Sequence, residues 1–382
     1  MITNIPKHWK IKKLGEICKV NQGLQIAIEE RFTEPIENGY FYITNEFLKA
    51  NSKTKYYIKN PSKSVLCSKE DILMTRTGNT GIVVSDVEGV FHNNFFKIDY
   101  DKKLLHKDYL VYYLKNDRMQ YDILVKAGNS TIPDLNHSDF YTLQIVIPPL
   151  EEQEKIAEIL LNCDKAIRLT TQIITQLKQR NQGLAQQLLT GEKRVKGFEK
   201  SIWKSFSISE ICKIGRGRVI SAKYISENKG IYPVYSSQTQ NEGVFGKINT
   251  YDFEGEYITW TTDGVNAGTV SFREGKFNCT NVCGTLKVID VNNFSHKFLA
   301  YKLATIAFQY VSYTLANPKL MNNTMGDIII DLPEIDEQNA IAQILDTAHQ
   351  ELKLYEQKLQ LLQAQKKTLM QKLLTGEVLT IK

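Results

Sequence analysis

Several polar side chains beside glycine turns have the chemistry to contact nucleic acid. Arg76 precedes the turn Gly78-Asn79; its planar guanidinium matches the paired acceptors of guanine, and the Asn79 amide matches adenine. Arg216 and Arg218 are suited to phosphate or base contacts. The predicted nucleic-acid contacts are Gln22, Lys53, Lys55, Arg76, Asn79, Arg216, Arg218, Thr262 and Asn266. Solvated surface charges would give the same pattern, so that interpretation stays open for each residue.

The sequence contains no complete motif of a DNA methyltransferase or of a nucleotide-dependent enzyme. An adenine methyltransferase needs Asn or Asp, two prolines and an aromatic residue in succession; Asn60-Pro61 and Asn317-Pro318 lack the second proline and the aromatic residue, and Pro148-Pro149 lacks the preceding Asn or Asp. The chain has neither a P-loop nor a Gly-x-Gly-x-x-Gly fingerprint. Its histidines do not have the spacing of metal ligands. Cys279 and Cys283 form a Cys-x3-Cys motif without a second pair of ligands, which favours free thiols in strands over a zinc site. The sequence therefore predicts no catalytic residue, no cofactor and no metal.

The composition is that of a water-soluble globular protein. The chain has 382 residues, 42% of them hydrophobic and 24% charged, with a net charge of +6, so two or three domains are expected and wholesale disorder is excluded. The modest positive charge permits polyanion binding without demonstrating it. No secretory signal or apolar run of transmembrane length is present. We therefore expect a cytoplasmic protein that does not enter a membrane.

The chain contains an internal repeat. Segment 148–192 matches segment 333–377 without a gap, at an offset of 185 near both ends (338 − 153 and 376 − 191). A fainter match precedes each copy at an offset of 194, where Gly23 matches Gly217 (217 − 23). In this frame Gln22 matches Arg216 (216 − 22), whereas the later offset of 185 places Thr261 near the position of Arg76 (261 − 76). We expect the paired glycines to permit close backbone approach to a ligand, and the two copies to read different bases.

Both repeated segments have the pattern of long amphipathic helices. Apolar residues recur at alternating steps of four and three, the spacing of a coiled-coil seam. Proline precedes each segment and glycine follows it, as at helix ends, whereas Gly183 predicts a bend or mobility. Asn181 and Lys366 interrupt the seam and are expected to set its register. The predicted spacer and subunit-docking residues are Gln153, Ile156, Leu160, Ile167, Ile174, Leu177, Leu184, Leu188, Gln338, Ile341, Leu345, Leu352, Leu359, Leu362, Leu369 and Leu373.

The connection between the two copies predicts how the helices pair. About ten residues, 191–202, follow the first helix, too few to return along a rod of about 50 Å. The second block must therefore begin at the far end, and the two helices run antiparallel about a pseudo-twofold axis. Independent surface helices of two separate domains are the alternative. Short β-branched and aromatic runs divided by Gly, Asn and Asp predict mixed α/β blocks before each helix.

The repeated motif resembles that of a known family. The pattern Pro-x-x-Glu-Gln-x-x-Ile-Ala-x-Ile-Leu leading to Leu-Leu-Thr-Gly-Glu occurs twice, after blocks that contain the glycine turns at 72–81 and 258–268. This arrangement resembles the specificity subunit of type I restriction-modification systems over nearly the whole chain. The resemblance implies two target recognition domains that each read half of a split double-stranded DNA site. It also implies helices that space these domains and dock methyltransferase subunits, which in turn recruit restriction subunits.

The expected fold class is α+β, with two mixed α/β target recognition domains joined by a long antiparallel two-helix coiled coil. The expected boundaries are 1–147 and 193–332 for the recognition domains, and 148–192 and 333–382 for the spacer helices. The expected function is non-catalytic recognition of a bipartite asymmetric site, with two methyltransferase subunits as partners. A coiled-coil scaffold whose end domains bind proteins is the alternative from another class.

Overall fold

A computed structural model describes residues 5–49, 52–128, 131–238, 240–313 and 317–380. The chain divides into two compact units, one formed by Met1–Thr171 with Lys358–Lys382 and the other by Gln172–Gln357. Each unit therefore contains one mixed α/β block together with parts of both repeated helical segments.

The first block alternates short strands with short helices before its long helix. Its strands are β1 (Lys10–Lys13), β2 (Cys18–Gln22), β3 (Gly39–Ile43), β4 (Tyr56–Lys59), β5 (Leu66–Cys67), β6 (Ile72–Thr75), β7 (Val83–Val84), β8 (Gly89–Phe91), β9 (Phe95–Tyr100) and β10 (Gln144–Ile147). Its helices are α1 (Lys107–Lys115), α2 (Asp117–Ala127), α3 (His137–Thr142) and the long α4 (Leu150–Leu189).

The second block has the same alternation. Its strands are β11 (Lys204–Ser207), β12 (Cys212–Arg216), β13 (Lys229–Tyr235), β14 (Val244–Ile248), β15 (Phe253–Glu254), β16 (Tyr257–Thr261), β17 (Val270–Arg273), β18 (Lys276–Cys279), β19 (Cys283–Val288) and β20 (Ile329–Leu332). Its helices are α5 (Ile208–Ile211), α6 (Ala222–Glu227), α7 (His296–Ile306), α8 (Asn322–Gly326) and the long α9 (Ile335–Thr375).

The two blocks share one sheet topology. In the first, the sheet orders are β2-β9-β6-β7, β4-β3-β8-β5 and β1-β10; in the second they are β12-β19-β16-β17, β14-β13-β18-β15 and β11-β20. Even the parallel pair is repeated, as β3 with β8 and as β13 with β18. The duplication therefore includes the middle of each block, where the sequences have diverged. The expected α+β class with mixed α/β domains is confirmed.

The long helices begin and end where their sequence signals predicted. Helix α4 starts directly after Pro149 and α9 starts two residues after Pro333, each with acidic residues in the first turn. Gly191 and Gly376 follow the helices with φ of 75°, the left-handed conformation of a C-terminal glycine stop. Helix α4 is continuous through Gly183, so the predicted weak point does not interrupt it.

Within each unit the two helical segments run antiparallel. In the second unit, Lys178 pairs with Glu356 at 2.9 Å, and Arg180 pairs with Glu351 at 2.7 Å. Asn181, buried in the seam, donates from Nδ2 to the carbonyl of Ala348 at 2.8 Å. As residue numbers increase along α4, the numbers of the contacting residues on α9 decrease, as expected of an antiparallel coiled coil.

The first unit shows the same seam from its other end. Lys366 of α9 donates to Asp164 of α4 at 2.6 Å, so both polar seam residues form a hydrogen bond to the opposite helix. The apolar seam residues predicted from the sequence are all buried or half-buried. Ile156 and Leu160 share the first core with Leu373 of α9, whereas Leu188 shares the second core with Ile341 of α9.

A buried glutamine attaches each long helix to its own block. Gln153 accepts from the His106 amide at 2.9 Å and donates to the Leu104 and Pro148 carbonyls at 2.8 Å each. Gln338 repeats this set with the Ser295 amide and the Asn293 and Pro333 carbonyls. Both side chains are fully buried. They therefore anchor the predicted spacer helices from inside the protein, and subunit docking by these helices stays a prediction.

Candidate nucleic-acid interface

The turn after β6, residues 76–81, is held by the strand that precedes it. The Thr75 amide donates to the Ile82 carbonyl and the Gly81 amide donates to the Thr75 carbonyl, each at 2.9 Å. Thr75 also donates from Oγ1 to the Asn79 carbonyl at 2.6 Å. Gly78, Asn79 and Gly81 adopt positive φ, a conformation that glycine and asparagine tolerate best. This first turn loop is thus a defined platform for the side chains of Arg76 and Asn79.

Arg76 forms an ion pair within the first unit. One terminal nitrogen lies 2.9 and 2.7 Å from the two carboxylate oxygens of Asp134, and the guanidinium carbon lies 5.7 Å from the centre of the Phe96 ring. The Arg76 side chain is 19% exposed and that of Asp134 is 45% exposed. The guanidinium is therefore oriented in advance, and it must exchange or share its carboxylate partner before it can contact a base.

The turn after β16, residues 262–268, repeats this backbone geometry. The Thr261 amide donates to the Thr269 carbonyl and the Gly268 amide donates to the Thr261 carbonyl, each at 2.9 Å. The Thr262 amide donates to the Val282 carbonyl, just as the Arg76 amide donates to the Asn94 carbonyl. Thr262 is therefore the counterpart of Arg76 in this second turn loop. The sequence placed Thr261 near this position, and the counterpart is the next residue along the chain.

Gln22 and Arg216 form equivalent contacts with the turn that precedes β9 in the first block and β19 in the second. Gln22 donates to the Asn93 carbonyl at 3.1 Å, and Arg216, its counterpart, donates to the Asn281 carbonyl at 2.6 Å. Arg216 also approaches Thr262 Oγ1 at 3.3 Å. The structure thus brings Gln22 into the neighbourhood of the first turn loop, and Arg216 into contact with the second.

Gly23 and Gly217 lie where the backbone passes close to another segment of its own block. A Cβ added to Gly23 would lie 2.1 Å from the Phe91 carbonyl oxygen, and one added to Gly217 would lie 2.3 Å from the Cys279 carbonyl oxygen. Two segments of the chain cross at these places. The glycines therefore permit a close internal backbone contact, and close approach to a ligand at these positions stays a prediction.

The remaining predicted contacts are more dispersed. Arg218 pairs with Asp252 at 2.8 Å and its guanidinium carbon lies 5.2 Å from the Tyr224 ring centre. Asn266, on the second turn loop, donates to the Ser237 carbonyl at 2.8 Å. Lys53 and Lys55 are exposed on the segment that leads into β4, a strand of the other four-stranded sheet. These lysines therefore lie beside the second four-stranded sheet of the first unit and not on the first turn loop.

His92, beside the Asn93 and Asn94 turn, is a neutral structural group. Its Nδ1 accepts from the Asn94 amide at 3.1 Å. Burial, together with the positive charge of Arg31, lowers the pKa of His92 to about 4. The ring therefore supports the turn from which Asn94 holds the Arg76 amide.

Sequence reasoning missed the acidic and basic partners of the turn loops. Asp134 pairs with Arg76, while Lys319 approaches Asp263 at 3.5 Å. The signal was present, because Pro133 and Leu135 match Pro318 and Leu320 in the repeat. Asp134 and Lys319 each lie between two of these matched residues.

Comparison with known proteins agrees with this architecture. The family model for the type I restriction modification DNA specificity domain matches residues 6–179 and 200–364, and therefore covers most of the chain. The chain belongs to this family. Like other members, it is a DNA sequence-specificity subunit and not a catalytic subunit of the system. Specificity subunits of this type bind DNA and assemble with methyltransferase and restriction subunits.

Individual relatives support the assignment over different parts of the specificity subunit. A putative type I specificity subunit N-terminus from Mycoplasma pneumoniae is 51% identical over 38% of this chain and 76% of that protein. The MjaVIII specificity subunit of Methanocaldococcus jannaschii is 26% identical over 98% of this chain and 94% of its own length. The crystal structure of a type I S subunit from M. genitalium, 18% identical, has a TM-score of 0.67 and covers 97% of this chain and 96% of that one.

In the part of the chain that the structure describes, no helix combines the length and the apolar character needed to cross a bilayer.

Proposed function

We propose that each unit of this specificity subunit reads one half of a bipartite, asymmetric site in duplex DNA. One observation carries the proposal: the two turn loops share their backbone hydrogen bonds, yet Arg76 in the first is replaced by Thr262 in the second. A common frame with different side chains is what two readers of unlike half-sequences require. In this proposal 1–147 and 193–332 are the recognition domains, and 148–192 and 333–382 are the spacer.

The predicted contacts divide by the chemistry of their side chains. Arg76, Asn79, Thr262 and Asn266 lie on the turn loops and are proposed to face bases, because arginine and amide groups discriminate between base edges. Lys53 and Lys55 are proposed to contact phosphates, since an exposed ammonium supplies charge without sequence information. Gln22, Arg216 and Arg218 are proposed to contact the DNA backbone beside each turn loop.

Docking of methyltransferase subunits is proposed for the outer faces of α4 and α9. The seam residues are enclosed, but Leu161, Leu169, Leu354 and Leu361 are exposed on these helices, and apolar side chains on a helix surface are suited to a protein interface. Because both units repeat the same elements, we propose two methyltransferase subunits, through which restriction subunits are recruited. The complex is proposed to act in the cytoplasm without a membrane partner.

Mapping of methylated positions tests the proposed site. The full chain would be produced with its cognate methyltransferase subunit, and modified bases would be identified across a genome. We expect one asymmetric motif in which two short specified sequences flank an unspecified spacer. Methylation at a continuous motif, or without any consensus, would contradict the proposal.

Binding to a random duplex pool tests the alternative of a protein scaffold. A specificity subunit should bind with an affinity that falls as salt rises, because phosphate contacts release counterions. A scaffold should show no such binding. Absence of salt-dependent binding both by the chain and by its complex with the methyltransferase would favour the scaffold.

A further inference from the structure

Asp134 and Lys319 occupy the same position in the two units. Each lies between a proline and a leucine, in segments 133–135 and 318–320, and each forms an isolated antiparallel bridge with a turn loop, Asp134 with Thr77 and Lys319 with Asp263. The following leucine repeats the match, because the Leu135 amide donates to the Arg76 carbonyl at 2.8 Å and the Leu320 amide donates to the Thr262 carbonyl at 3.0 Å.

Both positions carry one half of an ion pair, but the polarity is reversed. We call residues 133–135 and 318–320 the proline segments. In the first unit the cation, Arg76, is on the turn loop and the anion, Asp134, is on the proline segment, with 2.7 Å between the charged atoms. In the second unit the anion, Asp263, is on the turn loop and the cation, Lys319, is on the proline segment, with 3.5 Å between the charged atoms. The sign of the charge is therefore exchanged between turn loop and proline segment, although Asp263 occupies the position of Thr77 and not that of Arg76.

Backbone hydrogen bonds already join the two segments in each unit. Besides the leucine amides, the Gly264 amide donates to the Pro318 carbonyl at 3.0 Å, and Thr80 donates from Oγ1 to the Pro133 carbonyl. A partly exposed ion pair adds at most a small stabilisation to such a crossing. The fold thus requires no particular polarity there, which leaves the identity of these charges available for recognition.

The charges also match the chemistry of base edges. A carboxylate accepts from the amino group of cytosine, while arginine and lysine donate to the acceptors of guanine. In the first unit a base edge can be met by Arg76 and Asp134 together; in the second, by Asp263 and Lys319. The pairing keeps each charge compensated in free protein and lets it exchange its partner for a base when DNA binds. All four side chains are between 19% and 45% exposed, so they are accessible from solvent.

We propose that Asp134 and Lys319 are specificity-determining residues, each acting with its ion-pair partner to read one half-site, and that the reversed polarity makes the two half-sequences differ. The inference rests on the proposed function, in which the turn loops face bases. It adds the proline segments to the reading surface and assigns one new residue to each half-site.

The test compares methylation motifs of variants assembled with the cognate methyltransferase. Asp134→Asn keeps the shape of the side chain, and Lys319→Met keeps its length. We expect Asp134→Asn to relax base preference in one half of the motif and Lys319→Met to relax it in the other half, each by roughly 5- to 150-fold at the affected base pair. A motif unchanged by both variants would overturn the inference. A uniform loss of methylation at all sequences would also overturn it, because residues that only position the DNA act evenly.

Matched controls come from ion pairs elsewhere in each unit. Asp86→Asn alters a carboxylate that lies 2.8 Å from a mostly buried lysine, Lys107, and Lys276→Met alters a lysine that lies 3.6 Å from Glu254. Both controls should leave the motif unchanged. If they relax it as much as the test variants do, the effect is one of general surface charge and the inference is wrong.

A double variant transfers the polarity of the second unit to the first. Arg76→Asp combined with Asp134→Lys retains an ion pair, so the thermal unfolding midpoint should be kept while one half of the motif acquires a new base preference. Retention of the original half-sequence would overturn the inference. If the wild-type protein gives a split motif and the variants give the same motif, this inference alone is refuted. If the wild-type motif is not split, the proposed function itself is refuted.

Discussion

Gln153 and Gln338 show how much of this molecule depends on single side chains. Each is fully buried at the start of a long helix and satisfies one amide and two carbonyls of its own unit. Glutamate in this place would bring a charge into the core, and leucine would leave three backbone groups without partners. The amide side chain therefore explains why glutamine stands at this point in both copies.

Replacement of Gln338 by alanine should destabilise the second unit by about 3 kcal/mol, because buried groups that lose a hydrogen bond retain their desolvation cost. Differential scanning calorimetry of the full chain would measure the change. The matched control is Gln343→Ala, which removes an exposed glutamine from the same helix and should change stability by less than about 0.5 kcal/mol. Equal effects of the two changes would contradict the anchoring role.

Protonation of His92 should oppose folding of the first unit. Burial and the nearby Arg31 lower the pKa of His92 to about 4, whereas an unfolded chain binds this proton near pH 6.5. The unfolded state therefore binds more protons in this interval, so the contribution of His92 to stability is present above about pH 6.5 and is lost as pH falls towards 4. An NMR titration of the imidazole should give a midpoint near 4. A midpoint above 6 would contradict the structure.

The sequence identified the proposed DNA contacts of the turn loops more readily than their ion-pair partners. Arg76 and Asn79 were found from a local motif, because the glycine turn and its neighbours are contiguous in the chain. Asp134 lies 58 residues beyond Arg76, and local spacing cannot show that the two meet. Repeat alignment alone could have marked Asp134, since Pro133 and Leu135 recur as Pro318 and Leu320.

At the scale of elements, helices were more predictable than sheets. The segments 148–192 and 333–377 become α4 (Leu150–Leu189) and α9 (Ile335–Thr375), since helical spacing, acidic first turns and terminal glycines are local signals. The sheets depend on pairing between distant strands, such as β2 with β9. For this reason the sequence showed diverged middles, while the structure shows that their strand order is the same.

Two glycines should respond oppositely to alanine. Gly183 lies inside α4, where an added Cβ meets nothing within 4 Å, so Gly183→Ala should stabilise the protein by up to about 1 kcal/mol. Gly217→Ala would place a Cβ 2.3 Å from a carbonyl oxygen and should destabilise it by about 2 kcal/mol or more. Thermal unfolding of both variants measures the contrast. Destabilisation by Gly183→Ala would show that the helix needs flexibility at that point.

At the scale of the whole molecule, a net charge of +6 predicts weak binding of DNA by the free chain and tighter binding once the partner subunits add their contacts. Lys53→Ala should weaken binding to all sequences evenly and reduce the slope of log affinity against log salt by about 1. Arg76→Ala should alter preference in one half-site. Fluorescence anisotropy over a range of salt concentrations would measure both. An effect of Lys53→Ala confined to one sequence would contradict its assignment to phosphate.

Each core is built from both copies of the repeat. The first core includes Leu373 of α9, and the second includes Leu188 of α4, residues related by the offset of 185 (373 − 188). A half chain of residues 1–192 would lack the segment that completes its own core, yet it would possess an equivalent one. We expect two such halves to exchange helix ends and to form a homodimer. Under the proposed function its two identical recognition domains would read a palindrome, so the proposed asymmetry of the target would come from divergence between the copies and not from the scaffold.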